Sequence, residues 1–271
     1  MMHTGEFMHR FKFIAAAIAV SFSGLATAQG LEEIVVTAQK REQGANDVGI
    51  TINAFTGEQL RDLGFTTAED LALFTPGLTV NETAATGVPL YTIRGVGYQD
   101  YSTGASSTVG LYFDEVAIPY TVMSRGLMFD IERVEVLKGP QGDLYGRNTT
   151  AGQINFVSRK PTDEFTAGVN VGYGSYSTFD LEGFVSGGLG ENVRGRVAMR
   201  TVQSGEGWQK SATRDDELGE IDTMAFRGML EIDLGESASI MLNAHYVDDQ
   251  SENRANTAYD GTLIGLGEFS N

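Results

Sequence analysis

The sequence predicts a small α+β domain followed by antiparallel strands of a transmembrane β-barrel. Short helices and strands follow one another over residues 47–160, which is typical of α+β domains. From residue 164 to residue 250, apolar and polar side chains alternate in stretches of about ten residues, the length of a tilted membrane strand. Beyond the N-terminus no segment approaches the roughly 18 continuous apolar residues of a membrane helix, so if the protein is in a membrane, it must be as a barrel of strands.

Composition excludes several classes of function. A formal net charge of −17 argues against a nucleic-acid partner, because phosphate binding needs a basic surface. Cysteine is absent, which excludes disulfides and thiolate sites, and His3, His9 and His245 cannot form a histidine metal cluster. We therefore predict no metal site and no cofactor.

Residues 1–28 have the pattern of a secretory signal. A basic start, an apolar stretch at 13–22 and the small-residue cleavage site Ala26-Thr27-Ala28 follow in the usual order. A buried N-terminal helix is the alternative, and it does not explain the cleavage site. We expect export and cleavage at this site, with translation starting at Met1 or Met8.

A β-branched run, Ile34–Thr37, follows the signal and has charged neighbours on both sides. Such a short segment cannot bury itself, yet it can add as an edge strand to the sheet of another protein. An ordinary first strand of the next domain is the alternative.

Local signals predict the elements of the α+β domain. Thr56 is an N-cap candidate with Gln59 in capping-box position, which predicts a helix to Gly64. A second helix is predicted over 67–74, where a Thr-Pro-Gly sequence ends it. The predicted strands are Asp47–Thr56, Leu78–Asn81, Tyr91–Val96, Val109–Ile118, Ile131–Leu137 and Gln153–Ser158.

These elements contain no recognisable catalytic constellation. The glycines at 95–97 and 139–142 lack the spacing of phosphate-binding loops that open a helix. Four acidic residues between 114 and 132 have no nucleophile and base arranged with them. We predict that the protein is not an enzyme.

Alternation indicates five strands in the second part of the chain. The clearest stretch is 193–201, where Val197 and Met199 lie on one face and Arg196 and Arg200 on the other. A soluble β-sandwich also alternates, and periodicity alone does not separate the two. The predicted strands are 167–173, 178–186, 193–201, 225–234 and 239–247.

The connections between these strands resemble those of outer-membrane barrels, which have short periplasmic turns and longer outer loops. Residues 188–192 and 235–237 are short and would be periplasmic, whereas Ser204–Glu220 is longer and would face outward. On this interpretation His245 is a polar residue that faces the lumen.

Four motifs between residues 92 and 155 occur in a distinctive order. They are Thr92–Gly97 (TIRGVG), Val109–Val116 (VGLYFDEV), Phe129–Gly142 (FDIERVEVLKGPQG) and Leu144–Asn155 (LYGRNTTAGQIN). In this order, behind an export signal and a β-branched run, they resemble the plug domain of TonB-dependent outer-membrane receptors of the siderophore-receptor type. Asp143, where the family usually has Thr, and Ala151, where it usually has Gly, depart from the pattern.

The resemblance implies an organisation for the whole chain. Residues 1–28 are the signal peptide, 29–46 the TonB box and linker, 47–160 the plug domain, and 161–271 the first five or so barrel strands. Family members with a plugged lumen use about 22 strands. The expected fold is therefore an α+β plug domain followed by an incomplete antiparallel transmembrane β-barrel, in a fragment or truncated gene product.

The resemblance also implies partners and site residues. Partners are expected to be TonB with its inner-membrane energising complex, outer-membrane lipid, and an external small molecule, in this family most often a ferric siderophore. Strand addition to TonB would use the box Glu33, Ile34, Val35, Val36, Thr37 and Ala38. Ligand contact is assigned to Tyr98 and Tyr101.

Three arginines, Arg94, Arg133 and Arg147, are candidates for ion pairs between the plug and the barrel wall, and pairing within the plug is the alternative. Two other functions stay open. One is a TonB-binding or ligand-binding module that transports nothing. The other is a secreted β-rich hydrolase, for which no catalytic set is present.

Overall fold

The computed structural model describes residues 34–37, 40–41, 43–83, 87–97, 106–126, 128–211, 215–235, 237–253 and 269–270. The predicted signal peptide lies outside these residues. No helix in the described ranges combines the length and the apolar character needed to cross a membrane.

The first part of the described chain consists of short strands and helices. In chain order these are β1 (Val35–Val36), β2 (Gln43–Gly44), β3 (Thr51–Thr56), α1 (Gly57–Asp62), α2 (Leu71–Phe74), β4 (Leu78–Glu82), β5 (Pro89–Ile93), β6 (Val96–Gly97), β7 (Val109–Phe113), β8 (Val116–Ile118), β9 (Ile131–Lys138), α3 (Gly142–Tyr145) and β10 (Gly152–Ser158), with 3-10 turns at Ala68–Asp70 and Thr121–Ser124. The predicted capping box is confirmed, because Thr56 Oγ1 accepts the Gln59 amide at 3.2 Å and the Gln59 side chain accepts the Thr56 amide at 3.0 Å.

Two predicted strands are wrong because each is divided by a tight turn. The stretch Tyr91–Val96 turns at Arg94 and Gly95, whose φ angles are 52° and 76°. The stretch Val109–Ile118 turns at Asp114 and Glu115, whose φ angles are 46° and 68°. Two consecutive positive φ angles are the geometry of a two-residue hairpin turn. Because alternation continues on both sides of such a turn, the hydrophobic pattern does not reveal it.

Five strands of this domain form a mixed sheet in the order β3-β9-β10-β7-β8, in which only β10 and β7 are parallel. One face packs Val134, Ile154 and Phe156 against helix residues such as Leu60. Strands β4, β5 and β6 form a second, antiparallel sheet. The predicted α+β class is confirmed.

The opposite face of the mixed sheet is covered by the N-terminal segment. Leu137 and Val36 form the buried centre of a second apolar cluster, and Ile34, Val48 and Ile50 pack around it. Glu135 and Asn155 lie on this same face and are also buried. The inner strand β9, which lies between β3 and β10, is therefore covered on both faces of the sheet.

The alternating second part forms a five-stranded antiparallel sheet in the order β11-β12-β13-β16-β17. The predicted strands are confirmed, and the observed bounds are β11 (Thr166–Gly174), β12 (Thr178–Gly190), β13 (Val193–Gln203), β14 (Gln209–Ser211), β15 (Glu217–Leu218), β16 (Asp222–Asp233), β17 (Ser239–Asp249) and β18 (Phe269–Ser270). Strands β14 and β15 form a hairpin within the long connection between β13 and β16, and β14 also pairs with β18.

The two faces of this antiparallel sheet have opposite character. The face toward the α+β domain buries Arg196 and Arg227, which are 4% and 1% exposed. The other face leaves Val169, Tyr173 and Leu242 more than half exposed. A soluble β-sandwich packs apolar side chains between its sheets, so this distribution is the reverse of the one expected there.

Candidate functional site

Strand β1 is docked on the α+β domain. It pairs antiparallel with β2, which places Val35 opposite Gly44 and Val36 opposite Gln43. The Ala45 amide also donates to the carbonyl of Ile34 at 2.9 Å. Since the Val36 side chain is fully buried, this segment is held by packing as well as by backbone hydrogen bonds.

A buried carboxylate meets the end of the docked strand. Glu135 lies in the middle of β9 with its side chain fully buried, and its Oε1 accepts the Thr37 amide at 2.8 Å. Arg133 Nε donates to the same oxygen at 2.8 Å, and Asn155 Nδ2 donates to Oε2 at 3.2 Å. A buried carboxylate is stable only when such donors replace water. The Thr37 amide is therefore one of the donors that replace water at the buried Glu135 carboxyl group.

Tyr145 packs beside the same cluster. Its hydroxyl donates to the Thr37 carbonyl at 3.4 Å, and its ring meets Tyr112 edge-on with centroids 5.0 Å apart. Lys40 Nζ lies 5.5 Å from the centre of the Tyr145 ring. Burial raises the pKa of Tyr145, so this hydroxyl keeps its proton at neutral pH.

A second cluster joins the α+β domain to the sheet at the turn Met128–Asp130. Asp130 has a left-handed backbone with φ 49°, and its carboxylate binds Arg196 through both oxygens, with Oδ2 2.7 Å from Nε. Glu182 of β12 accepts the Asp130 amide at 2.9 Å. The two charged side chains of this pair are 2% and 4% exposed. The ion pair is therefore almost completely removed from water.

Two more arginines of the sheet bind the backbone of this turn. Arg227 Nη1 donates to the carbonyls of Phe129 and Asp130 at 2.9 and 3.3 Å, and its guanidinium lies 4.3–4.5 Å from the ring centres of Phe129 and Phe113. Arg200 Nη1 donates to the carbonyl of Met128 at 2.8 Å. Three arginines on one face of the sheet, Arg196, Arg200 and Arg227, therefore bind the same short segment of the plug.

A cavity of about 590 Å³ lies between the α+β domain and the end of the sheet that carries the β14–β15 connection. Its lining includes Thr66 and Glu82 of the domain and Arg200, Trp208 and Val247 of the sheet side. Small-molecule sites have volumes of about 300–1,000 Å³. Among the residues that the structure describes, no group of three or more acidic or histidine side chains is arranged to hold a metal ion.

Comparison with known proteins decides the family. Residues 45–153 match the family model described as the TonB-dependent receptor plug domain. The ferripyoverdine receptor of Pseudomonas aeruginosa is 28% identical over 224 residues, which cover 79% of this chain and 25% of that protein. The pesticin receptor of Yersinia pestis is 33% identical over 195 residues, which cover 69% of this chain and 28% of that protein.

A solved structure agrees with these matches. The pyoverdine outer membrane receptor FpvA from Pseudomonas aeruginosa, bound to pyoverdine, superposes with a TM-score of 0.62 at 28% identity, covering 79% of this chain and 29% of that one. The chain belongs to the TonB-dependent receptors. It spans about a quarter of the length of the curated relatives it matches. The resemblance seen in the four motifs is confirmed, and the α+β domain is the receptor plug.

The predicted TonB-box residues lie at the start of the plug. Ile34–Thr37 are the docked segment described above, whereas Glu33 and Ala38 lie outside the described residues. The predicted ligand residues Tyr98 and Tyr101 also lie outside them. The assignments to TonB and to the ligand stay predictions.

The three predicted plug–barrel arginines have different surroundings. Arg133 pairs with Glu132 and Glu135 and donates to Thr37 Oγ1 at 3.1 Å, all within the plug. Arg94 and Arg147 are exposed, and neither forms an ion pair with any residue in the described ranges. Contact of these arginines with a barrel wall stays a prediction.

The two departures from the family motifs cause no visible strain. Ala151 is buried and its φ is not positive, because the unusual backbone angle falls on the following residue, Gly152, with φ 152°. Asp143 is exposed in the first turn of α3. The Ala151 side chain is therefore compatible with the backbone at this position.

Sequence reasoning missed Asp130 as a contact residue. The alternation does assign Arg196 to the polar face, but its partner lies 66 positions away in the chain. The sequence shows Asp130 only as one acidic residue of the motif Phe129–Gly142. The signal available was the concentration of arginines on one predicted sheet face, which requires acids on whatever covers that face.

Proposed function

We propose that the protein acts in TonB-dependent import across the outer membrane, with a ferric siderophore as the favoured class of ligand. The observation that carries the proposal is a plug domain seated on the charged face of a sheet whose other face is exposed and apolar. Strands that face lipid on one side and a polar lumen on the other have this distribution. Relatives named as ferripyoverdine and pesticin receptors support the receptor role.

The energy for import would come from TonB through Ile34–Ala38. Strand addition needs backbone donors and acceptors on an extended segment. In the docked state, β2 and Glu135 use part of this hydrogen-bonding capacity. Coupling would therefore exchange an intramolecular strand partner for TonB. Because the protein partner supplies the energy, no catalytic residue is needed.

Export and ligand entry complete the proposal. Residues 1–28 would direct export and be removed after Ala28. The cavity lies at the end of the sheet that carries the long connection, which is expected to face outward. It also borders Glu82 and Gly87. Together with the predicted contacts at Tyr98 and Tyr101, it offers a place where a small ligand would meet both plug and wall.

Growth under iron limitation tests this function. A strain lacking the gene is supplied singly with catecholate, hydroxamate and pyoverdine-type ferric siderophores, and full-length variants are compared for rescue. Wild type and Val35→Thr should restore growth on at least one siderophore. Val35→Pro should not, because proline removes a backbone donor of β1. Val35→Thr is the control because it keeps both the branched shape and the N–H.

Two results would contradict the proposal. One is that growth on every siderophore is the same with and without the gene. The other is rescue by Val35→Pro equal to that by wild type, provided immunoblots show the two proteins at equal levels in the outer-membrane fraction. Binding of TonB without any growth rescue would leave only a partner-binding module.

A further inference from the structure

We propose that the turn Met128–Asp130 is the anchor that fixes the plug to the barrel wall, and that its partner is the arginine-bearing face of β13 and β16. The proposal rests on the proposed function only in taking the sheet as part of that wall. The contacts themselves lie within the described residues.

The charges buried in this interface are compensated by groups of the plug and of the sheet. Arg196 is neutralised by the Asp130 carboxylate, and Arg200 is neutralised by Asp180, with Nη2 2.7 Å from Oδ2. Arg227 binds two carbonyls and lies over two aromatic rings, the arrangement that stabilises a desolvated guanidinium. Removing one charged partner from such a site leaves an uncompensated buried charge, which is strongly unfavourable.

Two other polar contacts between the plug and the sheet are more exposed to water. Arg125 pairs with Asp249 at 3.3 Å, but these side chains are 33% and 24% exposed. Asn243 Nδ2 donates to Asp114 Oδ2 at 2.8 Å in an exposed position. Exposed pairs contribute little because water competes for them. The buried Asp130–Arg196 pair is therefore the contact whose loss should loosen the plug.

The position of the turn along the chain connects it to the N-terminal strand. Asp130 directly precedes β9, and Glu135, which binds the Thr37 amide, lies on that same strand. A pull on the N-terminal strand would reach the plug through β9. The anchor holds the end of β9 against the wall, so it is the fixed point for that pull.

The backbone of Asp130 makes a selective test possible. Asn and Asp tolerate left-handed φ angles, so Asp130→Asn removes the charge while keeping the turn. Arg196→Gln removes the opposite charge. The double variant D130N/R196Q removes both charges of this pair together. If the pair is the anchor, the double variant should be less disturbed than either single one.

The experiment measures how fast the interface opens. Ala225 is 5% exposed and packs with Phe129, and residues 1–271 contain no cysteine, so Ala225→Cys adds a covered thiol whose labelling is measured relative to the receptor that keeps Ala225. Maleimide labelling is followed in the full-length receptor in outer-membrane vesicles. We expect D130N and R196Q each to raise the labelling rate at least about tenfold, since losing a buried partner exceeds that free-energy equivalent. The double variant should label more slowly than either.

Asp163→Asn is the matched control. Asp163 pairs with Arg194 of the sheet at 3.2 Å but is 82% exposed, so the same change of charge should leave the labelling rate unchanged. Folding of the barrel is checked in every variant by its heat-dependent gel mobility. Labelling at the wild-type rate in both single variants, or an equal rise in D163N, would overturn the proposal.

The labelling needs neither ligand nor TonB, so it separates the anchor from the function. A failed growth rescue with the expected labelling pattern would reject the import function and keep the anchor. Normal growth rescue with unchanged labelling rates would reject the anchor and keep the import function.

Discussion

Glu135 is the common hydrogen-bond acceptor of several segments of the plug. Its donors come from three parts of the domain: the docked strand through Thr37, its own strand through Arg133, and the neighbouring strand through Asn155. A polar residue in the centre of a buried strand is unfavourable unless every lone pair has a donor. The sequence shows Glu135 only as an acid in an alternating strand, because the donors come from positions up to 98 residues away.

Replacing Glu135 by Gln should loosen the docked strand. A hydrogen bond from the Thr37 amide to a carboxylate is stronger than one to a neutral amide oxygen by about 1 kcal/mol, which corresponds to about fivefold. We expect the Thr37 amide to exchange with deuterium at least about fivefold faster in Glu135→Gln. Glu132→Gln is the control, since Glu132 also pairs with Arg133 but is 45% exposed. Equal exchange rates in wild type and Glu135→Gln would contradict the role of the carboxylate.

At the scale of elements, alternation and capping predicted most of what is observed. The strands of the second part and the capped helix α1 follow from local patterns that the structure preserves. The hairpin turns at Arg94-Gly95 and Asp114-Glu115 do not, because a positive φ at a non-glycine residue is set by the tight turn and not by residue preference. The pairing of β1 with β2 was also out of reach, since a two-residue ladder has no period to recognise.

The apolar face of the sheet makes a prediction about membrane insertion. Val171 is 59% exposed near the middle of β11, so Val171→Arg would place a charge against lipid. Near the bilayer midplane an arginine costs about 2–4 kcal/mol. We expect a clear fall in the fraction of full-length receptor that folds into lipid vesicles, measured by heat-dependent gel mobility.

The neighbouring position provides the control for insertion. Asn170 lies on the opposite face of β11, directly across from Glu182, so Asn170→Arg should fold nearly as well as wild type. If the two arginine variants lose folding equally, the assignment of the apolar face to lipid is wrong.

On the scale of the whole molecule, two sets of contacts meet on one strand of the plug, one directly before β9 and one in its middle. The turn before β9 is bound by arginines of the sheet, and Glu135 within β9 binds the N-terminal strand. Family membership was readable from four motifs, because their order is carried by the chain itself. The contact between the plug and the sheet could not be read from the sequence, because the ion pair between Asp130 and Arg196 forms only when the plug and the sheet come together. Residues that meet through tertiary structure leave only compositional traces in sequence.

Cross-linking to TonB tests the central claim most directly. Ile34→Cys in the full-length receptor is oxidised in the presence of the periplasmic domain of TonB carrying one cysteine. We expect a disulfide-linked complex with the otherwise unchanged receptor and with Val35→Thr, more complex with Glu135→Gln, and none with Val35→Pro. A complex formed equally well by Val35→Pro would contradict strand exchange at Ile34–Thr37.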